Sequence, residues 1–206
     1  MEEFRELGLR RRCRSYRKRD AVFREGESAT RLYCVLSGWV KIWKMTAEGH
    51  RQIVRWAGPG DPLGYRSVMS GEHYRASATA ATRTVICHLE GQDLKLLLAR
   101  QPVLAQRLIA RLSQDLGLAE ERLLQVAHQP VRQRLAQLLL QLEDDSSNGF
   151  RMTRLDMAQI IGTSPETLVR LLTEYHELGV LRRTRKGFEV LEREELERLA
   201  GLEPTC

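Results

Sequence analysis

The sequence contains no apolar run near the roughly 18 residues that a membrane-spanning helix requires, which argues against a transmembrane protein. Its opening, Met1-Glu2-Glu3-Phe4-Arg5, has no apolar core behind a basic flank. No secretory signal is expected there, and the cytoplasm is the expected location. The cysteines, Cys13, Cys34, Cys87 and Cys206, include no CxxC pair, so neither a zinc site nor a local iron–sulfur cluster is signalled. Buried thiols plus one exposed tail thiol at Cys206 are expected, which suits a reducing compartment. No HxH pair and no nucleophile–base spacing stand out. A metal-dependent enzyme built on a β-roll would need clustered ligands of that kind, so no enzyme, metal site or cofactor is expected. Internal repeats and low-complexity stretches are absent.

What is present is a charged, ordinary globular composition with a net charge of +6. The whole-chain charge does not locate a nucleic-acid surface. Residues 1–129 hold 22 Lys/Arg against 14 Asp/Glu, whereas residues 130–206 hold 11 against 13. A local excess is more telling: residues 151–186 carry seven basic side chains against four acidic ones, and a Glu-rich tail masks them.

From about residue 20 to 90 the pattern is strand-like. Leu32-Tyr33-Cys34-Val35-Leu36 and Val40-Lys41-Ile42-Trp43 are β-branched, aromatic or alternating. Turn residues recur between such runs at Gly26, Gly38, Gly49, Gly58-Pro59-Gly60-Asp61-Pro62, Gly64 and Gly71, which predicts a barrel or rolled sandwich. After Gly91 the period becomes helical. Pro102 can open a long helix in which Ile109, Leu112, Leu116, Ala119, Leu123 and Val126 alternate steps of three and four. That is a heptad seam and calls for a partner helix, most simply from a second copy of the chain. Pro130 breaks the helix, and Val131, Leu135, Leu138, Leu139 and Leu142 mark a shorter amphipathic one. The division read from this pattern is 1–102 for a β-roll, 103–129 for a dimerisation helix and hinge, and 130–206 for a helical unit.

Residues 153–178 carry the functional reading. Thr153 is a candidate N-cap for a helix with apolar face Leu155, Ala158 and Ile161. Gly162 supplies a tight turn. Ser164 then caps a second helix with Pro165 at its first position and Leu168, Leu171, Leu172, Tyr175 and Leu178 on its apolar face. Two short helices about a glycine turn make a helix-turn-helix, whose second member lies in the major groove of DNA. Its outer face offers Glu166, Arg170 and Glu174. Arg170 can chelate guanine O6 and N7, and Glu166 can accept from cytosine N4. Thr153, Arg154, Ser164 and Thr167 sit where phosphates would lie. Val180 to Val190 reads as two strands about a basic tip, a wing that adds Arg185 and Lys186 as backbone contacts. The plainer reading makes Glu166 a helix-dipole partner and Arg170 an i, i+4 ion pair with it and Glu174. Double-stranded DNA is the expected partner because cap, turn, exposed face and wing occur together.

Taken together, Gly26-Glu27, Leu32-Tyr33-x-Val35-Leu36-x-Gly38-x-Val40-Lys41-Ile42, Gly60-Asp61-x-x-Gly64 and Ser164-x-Glu166-Thr167-x-x-Arg170 resemble the cyclic-AMP receptor protein/FNR superfamily over nearly the whole chain. The resemblance implies an α+β protein. It would have a cyclic-nucleotide-binding-like β-roll, a long dimerisation helix and a C-terminal winged helix-turn-helix. It further implies a homodimeric regulator, an activator working with RNA polymerase on a palindromic site. Relatives contact a TGA-type half-site through residues matching Glu166 and Arg170; the arginine that often precedes the glutamate is Pro165 here. The implied effector pocket, Gly64, Tyr65, Arg75 and Ala76, departs from nucleotide-binding members. Tyr65 replaces their ribose-gripping glutamate, Ala76 replaces the Ser or Thr beside the arginine, and Ala119 and Glu120 replace the adenine-touching pair. Cyclic AMP is therefore not the expected effector, and Arg75 reads as a surface or ion-paired residue. The alternatives are a haem-sensing relative using His73 or His88 with Cys87, a redox-sensing one, or a module whose DNA contact is vestigial.

Overall fold

The computed structural model describes residues 12–144, 152–184 and 187–202. The chain forms two compact units, Met1–Gly117 and Leu118–Cys206, and the boundary falls inside the long helix.

Among the described residues the first unit rolls eight strands into two antiparallel sheets. Strands β1 (Arg12–Tyr16), β8 (Thr84–Glu90), β3 (Arg31–Ser37) and β6 (Pro62–Leu63) form one sheet in that spatial order. The other runs β2 (Ala21–Phe23), β7 (Ser77–Ala80), β4 (Val40–Met45) and β5 (Arg51–Ala57). Alternation buries Tyr33 and Val35 from β3 against Val40 and Ile42 from β4, while their neighbours face outward. The Phe23 ring stacks on Tyr74 at 4.1 Å and on Tyr33 at 5.4 Å, filling the same core. Gly64 has φ +75°, and an added Cβ there would meet the Tyr74 ring at 2.9 Å, so the turn into α1 (Tyr65–Ser70) requires glycine. Helix α2 (Gly91–Arg100) closes the roll through Leu94 and Leu97.

Two expectations about cysteine are corrected. Cys13 is exposed rather than buried, and it forms a disulfide with Cys87. The reason is register. The residues are 74 apart in sequence, but β1 and β8 pair antiparallel with Cys13 directly opposite Cys87, Cα–Cα 3.9 Å. The bond also removes Cys87 as a thiolate ligand for haem. Cys34 is half-buried, and Cys206 lies outside the described residues.

Helix α3 (Pro102–His128) has no buried residue at all. Its seam is open: Ile109 is 62% exposed, Leu116 61% and Leu123 69%. In the first unit its Asp115 accepts from the phenol of Tyr65, itself 1% exposed. Arg111 donates to Asp115 (3.1 Å) and to Asp61 (3.0 Å), with Arg55 at 3.6 Å from Asp115. Burial raises the Tyr65 pKa first, and the adjoining Asp115 carboxylate raises it further.

The second unit packs α4 (Val131–Asp144), α5 (Arg154–Ile161), α6 (Pro165–Glu177) and α7 (Arg193–Leu199) around one core, with β9 (Leu181–Thr184) paired antiparallel to β10 (Gly187–Val190). Leu135, Leu168, Leu172, Leu181 and Leu196 are large aliphatic side chains fully enclosed in it. Among the described residues no helix is long and apolar enough to cross a membrane. Leu172→Ala removes a side chain from the middle of this core. It should cost about 2–5 kcal/mol in the unfolding transition of the second unit, read by urea denaturation.

Candidate nucleic-acid interface

The pairing of α5 and α6 is built from local chemistry. Thr153 caps α5: its hydroxyl oxygen accepts from the Asp156 backbone N–H (3.1 Å) and its O–H donates to Asp156 Oδ2 (2.7 Å). The carboxylate thus lies in the first turn, where the helix dipole favours it. Gly162 ends α5 in the left-handed region at φ 69°, its N–H donating to Ala158 O. Ser164 restarts the chain as cap of α6, accepting from the Thr167 N–H at 3.2 Å, with Pro165 in the first turn.

Helix α6 is buried on one side only. Leu168, Leu171, Leu172 and Tyr175 are enclosed, whereas Glu166 and Arg170, one turn apart, are exposed. Backing is polar as well as apolar. The Tyr175 O–H donates to Arg132 O at 2.7 Å, Arg132 pairs with Glu174 at 3.1 Å, and Arg183 of β9 donates to Thr173 Oγ1 at 2.7 Å. Burial pushes the Tyr175 phenol up to about 12, with the Arg132 charge opposing. Glu166 is held below the usual carboxylate range, first by its own backbone N–H and then by the Ser164 hydroxyl.

This geometry separates the two readings of the exposed face. Glu174 pairs with Arg132, so the ladder Glu166–Arg170–Glu174 does not form. Among the described residues Arg170 has neither an ion pair nor a hydrogen bond, and it is exposed in the second turn of the helix. Thr153 and Ser164 spend their hydroxyls on capping; each still stands exposed beside the helix N-termini, where a phosphate would meet backbone amides. Thr167 is half-buried, with its hydroxyl accepting from Ser164 at 3.2 Å. Arg154 lies over the Phe188 ring of the wing at 5.5 Å, which fixes its direction. Arg185 and Lys186 lie outside the described residues.

Two apolar assignments are corrected. Leu155 is 53% exposed, because the buried stripe of α5 is centred on Met157, Ala158 and Ile161 and Leu155 falls off its margin. Leu178 is 55% exposed, because α6 stops at Glu177 and the chain turns away at Gly179, φ +74°. One positioning residue left no sequence signal. Arg134 of α4 donates to Ile161 O (3.0 Å), the last carbonyl of α5, and to Gln129 O (2.7 Å). It neutralises orphaned helix-end carbonyls just ahead of the Gly162 turn. Its spacing from Val131 and Leu138 puts it on the apolar side of the helix, and only the fold shows what it meets there.

The residues matching an effector pocket each have a local role. Tyr65 is enclosed and engaged with Asp115, Ala76 is buried in the roll core, and Gly64 serves the turn. Arg75 is 72% exposed and donates twice to Glu72, both at 2.7 Å, as a surface ion pair. It borders an open depression of about 440 Å³ with Glu25, Lys44, Glu72 and His73, which none of the other three residues lines. Among the described residues no group of three or more His, Cys, Asp or Glu could hold a metal ion.

A rolled double sheet followed by a long helix and a winged helix-turn-helix defines the class, and the comparisons define the family. Residues 13–101 match the cyclic nucleotide-binding domain, and residues 133–199 match the Crp-like helix-turn-helix domain. The catabolite activator protein of Thermus thermophilus is 31% identical, with 98% of this chain and 96% of that chain covered and a TM-score of 0.54. FixK2 from Bradyrhizobium japonicum is 27% identical with a TM-score of 0.80, covering 93% and 98%. The anaerobic regulatory protein of Aggregatibacter actinomycetemcomitans is 28% identical over 92% of this chain and 77% of its own length. The chain belongs to the Crp/Fnr superfamily of transcription regulators and is a DNA-binding regulator of that type.

Two substitutions test the scaffold. Gly162→Ala places a Cβ in the left-handed region and should cost about 1–2 kcal/mol of stability in the second unit, read by thermal or urea unfolding. Tyr175→Phe should cost about 0.5–1.5 kcal/mol at neutral pH through the lost bond to Arg132 O. The sign with pH follows from linkage. The folded phenol titrates at about 12 against roughly 10 unfolded, so its contribution is intact below pH 10 and lost as pH rises to 12. The stability gap between wild type and variant should close over that window.

Proposed function

We propose that the chain is a cytoplasmic activator that binds a palindromic promoter site as a homodimer, reading each half-site through Glu166 and Arg170. The observation that carries this reading is the Arg170 side chain: exposed, without an ion pair among the described residues, and mounted on a helix anchored from behind by Leu168, Leu172 and Tyr175. Arg170 chelates one guanine by O6 and N7, and Glu166, kept ionised, accepts from a cytosine amino group. Thr153, Arg154, Ser164, Thr167 and the wing residues Arg185 and Lys186 set the register on phosphates. Pro165 leaves the half-site one base contact short of relatives that carry arginine there.

The second copy of the chain takes the open seam of α3, where Ile109, Leu112, Leu116, Ala119, Leu123 and Val126 repeat at coiled-coil spacing. Residues 103–129 act as dimerisation helix and hinge between a sensor-like segment 1–102 and the DNA-binding segment 130–206. Recognition helices then address half-sites one helical turn, roughly 34 Å, apart. RNA polymerase is the expected further partner. Cyclic AMP has no place in this reading, because Tyr65 is committed to Asp115 and Arg75 to Glu72.

Selection of bound DNA from a random library should yield an inverted repeat, and affinity for it should fall steeply with salt. Arg170→Ala should weaken binding to the selected site by about 1–3 kcal/mol and relax preference at one symmetric base pair. Recovery of no consensus by the wild type would refute the reading. Leu116→Glu tests the dimer separately: sedimentation velocity should show a monomer with an unchanged circular dichroism spectrum, and a wild-type monomer would refute this part.

A further inference from the structure

The β1-β8-β3 sheet places three cysteines in one cross-strand row. Cys13 pairs in register with Cys87, and Cys87 pairs on its other side with Cys34. Directly opposed residues share a face of the sheet, and the bonded pair Cys13 and Cys87 is 3.9 Å apart at Cα. Cys87 can therefore be bridged from either neighbour. It is bonded to Cys13 in this structure, while the Cys34 Sγ is a thiol that donates weakly to Val35 O (3.8 Å) and Gly60 O (3.9 Å).

We propose that Cys34 is a resolving thiol that moves the disulfide from Cys13–Cys87 to Cys34–Cys87, releasing Cys13 and the edge strand β1. Displacement at sulfur runs through a near-linear S···S–S arrangement; register sets attacker and leaving group on the strands either side of Cys87, and the Cys34 side chain has to turn from Gly60 O toward β8 to reach it. The Cys34 thiol gives its proton to solvent and its thiolate attacks Cys87 Sγ. The Cys34–Cys87 bond forms as the Cys13–Cys87 bond breaks, and the electron pair leaves on the Cys13 sulfur, which takes up a proton. There is one disulfide before and one after, so no oxidant or reductant is consumed. The polarity is favourable in two ways. Cys13 is exposed, so its thiolate is hydrated. Its strand lies at the sheet edge and, among the described residues, pairs with β8, so the exchange leaves β1 held by a five-residue ladder and the buried Tyr16. In a reducing compartment a persistent disulfide is uncommon, and those that occur are mostly transient, catalytic or redox-sensing. This inference stands independently of the DNA reading.

The full chain is equilibrated in a glutathione buffer, quenched in acid, alkylated and cut with Glu-C, which leaves Cys13, Cys34 and Cys87 on separate peptides. Wild type should yield both linked pairs, Cys13–Cys87 and Cys34–Cys87. Cys34→Ser should yield only the first and Cys13→Ser only the second. As a second readout, maleimide added to oxidised protein without reductant should trap Cys13 in wild type and not in Cys34→Ser. The proposal is overturned if Cys34 is fully alkylated in wild type and in Cys13→Ser, if Cys87 carries no disulfide in wild type, or if Cys13 is trapped equally without Cys34.

Discussion

The one-sided burial of α6 is the constraint on which the rest of the structure depends. Leu168, Leu171, Leu172 and Tyr175 fix the helix about its own axis, and that orientation leaves Glu166 and Arg170 outward. Burial alone would allow the helix to slide or rock. The polar attachments remove that freedom: Tyr175 to the Arg132 carbonyl, Glu174 to the Arg132 guanidinium and Thr173 to Arg183 of the wing. At the N-terminal end, Arg134 on Ile161 O and the left-handed Gly162 set where α6 begins. The exposed Arg170 is thereby held by groups on the far side of its helix, so its orientation is set by folding.

Glu174 illustrates how backing and recognition are separated on one helix. It shares the face of Arg170 by sequence spacing, yet its carboxylate is drawn to Arg132. Arg170 keeps its donors for an external acceptor. The first unit shows the opposite economy. There Tyr65, Arg111, Asp115 and Asp61 satisfy one another, and Arg75 is turned to Glu72 at the surface.

The architecture was legible in the sequence wherever the signal was local. Glycine punctuation, the long helix after Pro102, both N-caps, the Gly162 turn and the exposure of Glu166 and Arg170 each depend on local sequence. The failures were of two physical kinds. Leu155 and Leu178 are apolar residues at the ends of short helices, where one residue rotates a side chain about 100° off the buried stripe and chain reversal removes the partner surface. The Cys13–Cys87 bond, the inward Arg134 and the Tyr65–Asp115 contact join residues far apart in sequence. Strand register and helix packing bring them together, and neither leaves a periodic trace. Arg134 is the instructive case: its spacing from Val131 and Leu138 puts it on the apolar side, and only packing supplies the unmet carbonyls of two helix ends that it meets there.

The central claim is that the Arg170 guanidinium meets a base edge rather than a phosphate. Dimethyl sulfate methylates guanine N7 in the major groove, the atom that a bidentate arginine covers. On a selected inverted repeat, bound wild-type protein should protect one guanine in each half-site, symmetrically, and the Arg170→Lys protein should leave both reactive. Full N7 reactivity of every guanine in a site that the wild type demonstrably occupies would contradict the account.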